Sequence, residues 1–81
     1  MRVTVRLFAR LRDLAGTSEL ATEVGPGATI GDVWARVVGE HPALAPYERS
    51  LSAARNLEYA RLSAPVADAD EIAFMPPVSG G

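Results

Sequence analysis

Apolar and polar residues alternate over the first seven positions of the chain, and Phe8 and Ala9 follow. Alternation of this kind is typical of a β-strand with one buried and one solvated face, so it predicts a strand over residues 1–9. Leu11, Leu14 and Ala15 follow at helical spacing and predict a short helix over residues 10–15. Gly16 can end that helix in the left-handed conformation. The residues assigned to the apolar face of the strand are Val3, Val5, Leu7 and Ala9.

A second strand is predicted at residues 19–24, and the segment that follows it carries the clearest helix signal. Thr29 stands three residues before Asp32, a spacing that lets the hydroxyl and the carboxylate satisfy free backbone N–H groups at a helix start. The helix should end near Gly39, because His41 precedes a proline. Its apolar stripe consists of Ile30, Val33, Trp34, Val37 and Val38, which together can cover one face of a sheet.

The second half of the chain predicts three more strands. Residues 42–50 are expected to form a loop with one helical turn, and Tyr47 to pack against the core. Two short strands are expected at 51–56 and 59–62, and a last strand at 71–75. These elements predict an α+β fold: a mixed sheet of about five strands, with one main helix packed on one face and solvent on the other.

Length and composition limit the classes of function. A chain of 81 residues has room for one domain, and a formal charge of −2 gives no general attraction to nucleic acid. No apolar run is long enough for a membrane span, and the absence of cysteine excludes thiol chemistry. His41 is the only histidine and no lysine is present, so side-chain nucleophilic catalysis is improbable. We expect a protein of the reducing cytoplasm.

The C-terminus is the strongest irregular feature. We expect a domain over residues 1–75 and an extended tail over 76–81, in which two prolines precede two glycines. Six extended residues of about 3.3 Å each could carry the terminal carboxylate roughly 20 Å from the sheet. Glycines without a Cβ can pass through a narrow channel of another protein. The alternative is a frayed terminus without function, which is common in small domains.

Three segments of the chain resemble the small, sulfur-carrying subunits of molybdopterin synthase. They are RLFARLRDLAG at 6–16, DADEIAFM at 68–75 and PPVSGG at 76–81. The likeness extends over essentially the whole chain, and it is loosest between residues 40 and 57. Family members commonly carry glycine where this chain has Ala69. The resemblance implies the β-grasp fold of ubiquitin-like sulfur carriers.

The resemblance also implies a chemistry for the terminus. Gly81 would be the reactive residue: an adenylating enzyme related to the ubiquitin activators uses ATP to convert its carboxylate to an acyl adenylate, and a sulfur donor protein then yields a thiocarboxylate. The large synthase subunit would receive the tail, in a complex of two large and two small chains, and the sulfur would pass to cyclic pyranopterin monophosphate. The carrier itself binds no cofactor and no metal. The residues implied for partner binding are Met75, Pro76, Pro77 and Val78 as a docking surface, and Ser79 and Gly80 as the threaded segment.

Other interpretations remain open for these residues. Similar carriers serve thiamine or cysteine synthesis, and a ubiquitin-like modifier would attach Gly81 to lysines of other proteins. An interaction module in which the tail has no role is a further alternative. Met75 is either an exposed contact or a residue that fills a gap in the core. Leu57 and Tyr59 are surface contacts, core-packing residues or apolar residues exposed without a role, as single apolar residues on protein surfaces often are.

Overall fold

The computed structural model describes residues 1–77, which form a five-stranded mixed sheet with helices on one face. The strands are β1 (Arg2–Leu7), β2 (Glu19–Glu23), β3 (Ser52–Arg55), β4 (Glu58–Ala60) and β5 (Glu71–Met75). The helices are α1 (Ala9–Ala15), α2 (Ile30–Glu40) and a 3-10 helix (Pro42–Tyr47). The order of strands across the sheet is β2-β1-β5-β3-β4. The predicted α+β architecture with one main helix on one face, the β-grasp arrangement, is confirmed.

The core lies between the sheet and α2, where side chains from both are shielded from water. Alternate residues of β1 and β5, including Val5, Ile72 and Phe74, meet the predicted apolar stripe of α2. The ring of Trp34 packs edge-on against Phe74, with 4.9 Å between the ring centroids. Aromatic contacts of this geometry are favourable beyond the area they bury. The opposite face of the sheet carries no core residue of the part that the structure describes.

The start of α2 forms as the sequence predicts. The Thr29 hydroxyl accepts a hydrogen bond from the Asp32 backbone N–H at 3.2 Å, and the Asp32 carboxylate accepts one from the Thr29 N–H at 2.8 Å. Both bonds satisfy donors that a helix start leaves without an intrahelical partner. These two hydrogen bonds fix the residue at which α2 begins, and with it the position of the apolar stripe of α2 on the sheet.

The first strand ends two residues earlier than predicted. Ala9 is exposed and is the first residue of α1, so its assignment to the buried face of the strand is wrong. The reason is its backbone, since φ of +51° turns the chain out of the extended conformation. Leu11, two residues further on, enters the core instead.

In the second half of the chain one prediction is confirmed and another is wrong. The helical turn predicted within residues 42–50 is present as a six-residue 3-10 helix, in which Leu44 is completely buried, and Tyr47 packs against the core as predicted. The fourth strand is Glu58–Ala60 and not 59–62, because Asn56 and Leu57 form a two-residue turn and Arg55 therefore pairs directly with Glu58. Arg61 and Leu62 instead turn back: the Leu62 carbonyl accepts a hydrogen bond from the Gly31 N–H at 2.8 Å.

No helix within residues 1–77 is long and apolar enough to cross a membrane.

Candidate functional site at the root of the C-terminal tail

The strand that leads into the tail is the central one of the sheet. β5 pairs with β1 in parallel on one side and with β3 in antiparallel on the other. Phe74 lies opposite Leu7, and Met75 lies opposite Ser52. Pairing with β1 continues to Phe74 and pairing with β3 continues to Met75, so the strand is held in the sheet up to the residue before Pro76. Neither Pro76 nor Pro77 has a backbone N–H, so neither can continue the ladder.

Three of the predicted partner-binding residues lie within the part that the structure describes. Met75 and Pro76 are half-buried, and Pro77 is exposed. Met75 alternates with Phe74 and therefore lies on the sheet face that carries no helix, which argues against a gap-filling position in the core. The predicted reactive residue Gly81 lies outside the described residues, as do Val78, Ser79 and Gly80.

The helix-free face carries a band of uncharged residues that runs from Met75 towards the turn between β3 and β4. Ala73 lies opposite Ala54, and Ala54 lies opposite Tyr59, so two small residues separate larger apolar groups. Tyr59 is 82% exposed and Leu57, in the turn, is 89% exposed. We call this set the apolar band: Met75, Ala73, Ala54, Tyr59 and Leu57. Both large residues left open in the sequence analysis are therefore surface residues.

The two sides of the apolar band differ in their charges. On the β1 side, Arg6 lies between two carboxylates, 3.6 Å from Glu71 and 3.9 Å from Glu19. On the β4 side, Glu58 and Arg61 are exposed and form no ion pair with any residue from 1 to 77. Arg61 also borders a shallow groove of about 560 Å³ that includes Ser52 and Tyr59. The unpaired charges thus lie at the free edge of the sheet.

A cluster around Asp70 holds the β3–β4 turn against the start of β5. The Asp70 carboxylate accepts hydrogen bonds from Asn56 Nδ2 at 2.9 Å and from the Ala67 N–H at 2.7 Å. Asn56 Oδ1 in turn accepts a bond from the Glu71 N–H at 2.9 Å. The hydrogen bonds from Asn56 and Ala67, assisted by the Arg55 guanidinium 3.9 Å away, lower the pKa of Asp70, while partial desolvation opposes them. Residues 68–71 are therefore a structural turn.

The sequence analysis did not identify this cluster. Asn56 and Asp70 are 14 positions apart, and only the pairing of β3 with β5 brings them together. An asparagine in a turn is a general signal for local hydrogen bonding, but it does not reveal the distant partner.

The described residues at the root of the tail form a surface suited to binding. Across residues 1–77, no three His, Asp or Glu residues lie close enough together to hold a metal ion. Within the same range, the only group with a clearly shifted pKa is Asp70, which is engaged in the structural cluster. What the arrangement provides is a rigid root for the tail and an uncharged surface beside it.

Known proteins resemble this chain along its whole length. The model of the ThiS family matches residues 5–81. The molybdopterin synthase sulfur carrier subunit of Chlamydomonas reinhardtii is 40% identical over the full length of both chains. The small archaeal modifier protein 1 of Haloferax volcanii is 39% identical, covering 94% of this chain and 97% of its own. A crystal structure of SAMP1 from Haloferax volcanii superimposes over the full length of both chains with a TM-score of 0.88 at 36% identity. The chain belongs to the ThiS family of ubiquitin-like β-grasp sulfur carriers.

Proposed function

We propose that this protein carries sulfur for molybdopterin synthesis on the carboxyl group of Gly81. The observation that carries the proposal is the position of the root of the tail: Pro76 follows directly on the central strand of the sheet, which is paired with β1 up to Phe74 and with β3 up to Met75. A terminus presented in this way can be offered to another protein while the fold stays intact. The full-length likeness to a sulfur carrier subunit of molybdopterin synthase adds support.

The proposed chemistry uses the terminal carboxylate as its only reactive group on this chain. A carboxylate is a poor electrophile, so a ubiquitin-activator-like enzyme first lets a Gly81 oxygen attack the α-phosphorus of ATP, with loss of pyrophosphate. A sulfide equivalent from a sulfur donor protein then attacks the carbonyl carbon and displaces AMP, which leaves a thiocarboxylate. Its sulfur attacks a carbon of cyclic pyranopterin monophosphate and displaces an oxygen substituent from that carbon, which joins the pterin to Gly81 as a thioester. Water then cleaves the acyl C–S bond of the thioester, so the sulfur stays on the pterin and Gly81 returns to a carboxylate. Two deliveries supply the two sulfurs of the dithiolene that binds molybdenum.

In this proposal the large subunit of the synthase receives the tail and supplies the catalytic side chains. Met75, Pro76 and Pro77, with Val78, form the adjoining contact surface, while Ser79 and Gly80 occupy a channel that a Cβ at position 80 would obstruct. Two large and two small chains form the working complex in the cytoplasm. Met75 suits such a contact because its unbranched, polarizable side chain adapts to the surface it meets.

The direct test is the intact mass of the protein after incubation with the cognate adenylating enzyme, ATP and a sulfur donor. We expect the mass to rise by the difference between sulfur and oxygen. A matched variant with one glycine added after Gly81 should show no such change, because its new terminus lies one residue beyond the position that the enzyme accepts. An unchanged wild-type mass under conditions that load a known carrier would contradict the proposal. Transfer of the loaded sulfur to cyclic pyranopterin monophosphate by the large subunit separates this pathway from thiamine and cysteine synthesis.

A second function, attachment to other proteins, is favoured by the likeness to small archaeal modifier protein 1 in both sequence and structure. The same acyl adenylate could be attacked by a lysine amine of a target protein instead of by sulfur. This chain contains no lysine, so it could not extend chains on its own side chains. Cells that express an N-terminally tagged protein should then show high-mass conjugates that disappear in the variant with the added glycine. If the protein acts only as a sulfur carrier, the same cells should contain the tagged protein without high-mass conjugates.

A further inference from the structure

Leu57 occupies a backbone conformation that its own side chain disfavours. Asn56 has φ of +50° and Leu57 has φ of +72°, in a two-residue turn between β3 and β4. Positive φ at both central residues is typical of a type I′ turn, in which asparagine followed by glycine is the preferred pair. A leucine at the second position crowds its Cβ against the backbone, and glycine would relieve that strain.

The surrounding structure holds the turn in this conformation. Asn56 is fixed through its side chain to Asp70 and to the Glu71 backbone, and its own N–H donates to the Glu71 carbonyl at 2.8 Å. Leu57 gains nothing from this arrangement in the described part of the chain, because 89% of the residue is exposed. An exposed apolar residue in a strained conformation adds little to the stability of the folded protein. We therefore look for its role in binding to another protein.

Leu57 also lies at one end of the apolar band, whose other end is the root of the tail. Met75 lies four steps along β5 from Glu71, which is beside Asn56, so the two are about 13 Å apart at about 3.3 Å per step. A protein that receives the tail and covers Met75 can therefore reach Leu57 within one contact surface. The exposed carboxylate of Glu58 lies next to Leu57 and has no cationic partner in residues 1–77.

We propose that Leu57 is an apolar anchor that inserts into a pocket of the large synthase subunit, with a basic residue of that subunit facing Glu58. The inference rests on the proposed function, since it names a contact made by the protein that receives the tail. The large subunit is the occupant we choose because the proposed function places it over Met75, and the apolar band continues from Met75 through Ala54 and Tyr59 to the exposed Leu57.

The test compares three variants for thermal stability and for affinity to the purified cognate large subunit. We expect Leu57→Gly to raise the Tm by about 4 °C, because strain is relieved, and to weaken the Kd about tenfold, because a buried leucine is lost. Leu57→Met keeps an apolar side chain and should retain the affinity to within about threefold. Ala69→Gly is the matched control: Ala69 also has a positive φ, +70°, and is exposed, but it lies outside the apolar band. It should raise the Tm and leave the Kd unchanged.

Each result separates this inference from the function on which it rests. Wild-type affinity in Leu57→Gly, while the wild-type protein itself binds the large subunit, overturns the anchor and leaves the proposed function standing. Equal loss of affinity in Ala69→Gly also overturns it, because the effect would then belong to backbone strain. If Leu57→Gly loses affinity only for the adenylating enzyme and binds the large subunit as the wild type does, the contact of Leu57 belongs to that enzyme. This result also overturns the proposed anchor. If the wild-type protein binds no large subunit, the proposed function fails together with the anchor.

Discussion

Asp70 links three segments that are distant in the sequence: the β3–β4 turn through Asn56, the loop before β5 through Ala67, and the end of β3 through Arg55. Its carboxylate must be ionised to accept both hydrogen bonds at full strength. The cluster also fixes the backbone of the turn that carries Leu57. At the scale of single residues, then, the geometry of the exposed apolar band depends on a buried carboxylate that lies outside the band.

The lowered pKa of Asp70 predicts how stability depends on pH. Because the folded-state pKa lies below the unfolded value, which is near 3.9, the contribution is fully present above that value and is lost as the pH falls through the folded pKa. Urea unfolding should show a free energy that declines below about pH 4 in the wild type. The decline should be shallower in Asp70→Asn, which starts from a lower stability because the amide presents an N–H to the Ala67 N–H. Asp13→Asn, on the surface of α1, serves as the control, and a slope in Asp70→Asn equal to that of the control would contradict the assignment.

Residues with positive φ mark where sequence reasoning fails at this scale. Ala9 and Leu57 both adopt the left-handed region without being glycine, and both displaced a predicted element boundary. Local preference argues against such conformations, so no pattern of apolar and polar residues reveals them. They exist because the pairing of strands on either side determines the backbone between them.

Among the elements, α2 was predictable because its signals are local. Thr29 and Asp32 set its start within four residues, and the apolar stripe set the face that it buries. The strands β1 and β5 were predictable for a similar reason, since each alternates clearly. The 3-10 helix was not, because its proline-rich sequence carries no helical periodicity and only its contacts with α1 and α2 reveal why Leu44 is buried.

Loss of the cap at Thr29 should weaken the whole domain. Thr29→Ala removes the hydroxyl that accepts from Asp32, and loss of such a cap destabilises proteins by about 1 kcal/mol. In a domain of this size that corresponds to a fall in Tm of about 4–8 °C. Ser63→Ala, an exposed hydroxyl without a hydrogen bond among residues 1–77, should change the Tm little. Trp34 is buried in the core and gives a fluorescence signal for both measurements; equal Tm values in the two variants would refute the role of the cap.

Viewed as a whole molecule, the sheet joins the two ends of the described chain. β1 and β5, the first and last strands, lie side by side at its centre, and this parallel pairing closes a separation of 67 residues between Thr4 and Glu71. Strand order is a long-range property, and the residue pattern alone could not give it. The sequence did supply the composition of the tail, but the structure was needed to show that the tail begins at the central strand. This position ties the root of the tail to the best-protected part of the fold.

Residues up to Met75 should therefore determine the stability of the fold, and the residues after it should determine the function. The buried core of the described chain lies between Val3 and Phe74, so deletion of residues 78–81 should shift the Tm by less than about 2 °C, as expected for residues outside the core. The same deletion should abolish sulfur loading, because the acceptor carboxylate is moved. Phe74→Ala, by contrast, removes the ring that packs on Trp34 and should cost about 3–5 kcal/mol, enough to unfold much of a small domain. Thermal unfolding of both variants, followed by Trp34 fluorescence, tests the separation. A deletion that lowers the Tm as strongly as Phe74→Ala would show that the last residues belong to the folded core and are not a separate functional tail.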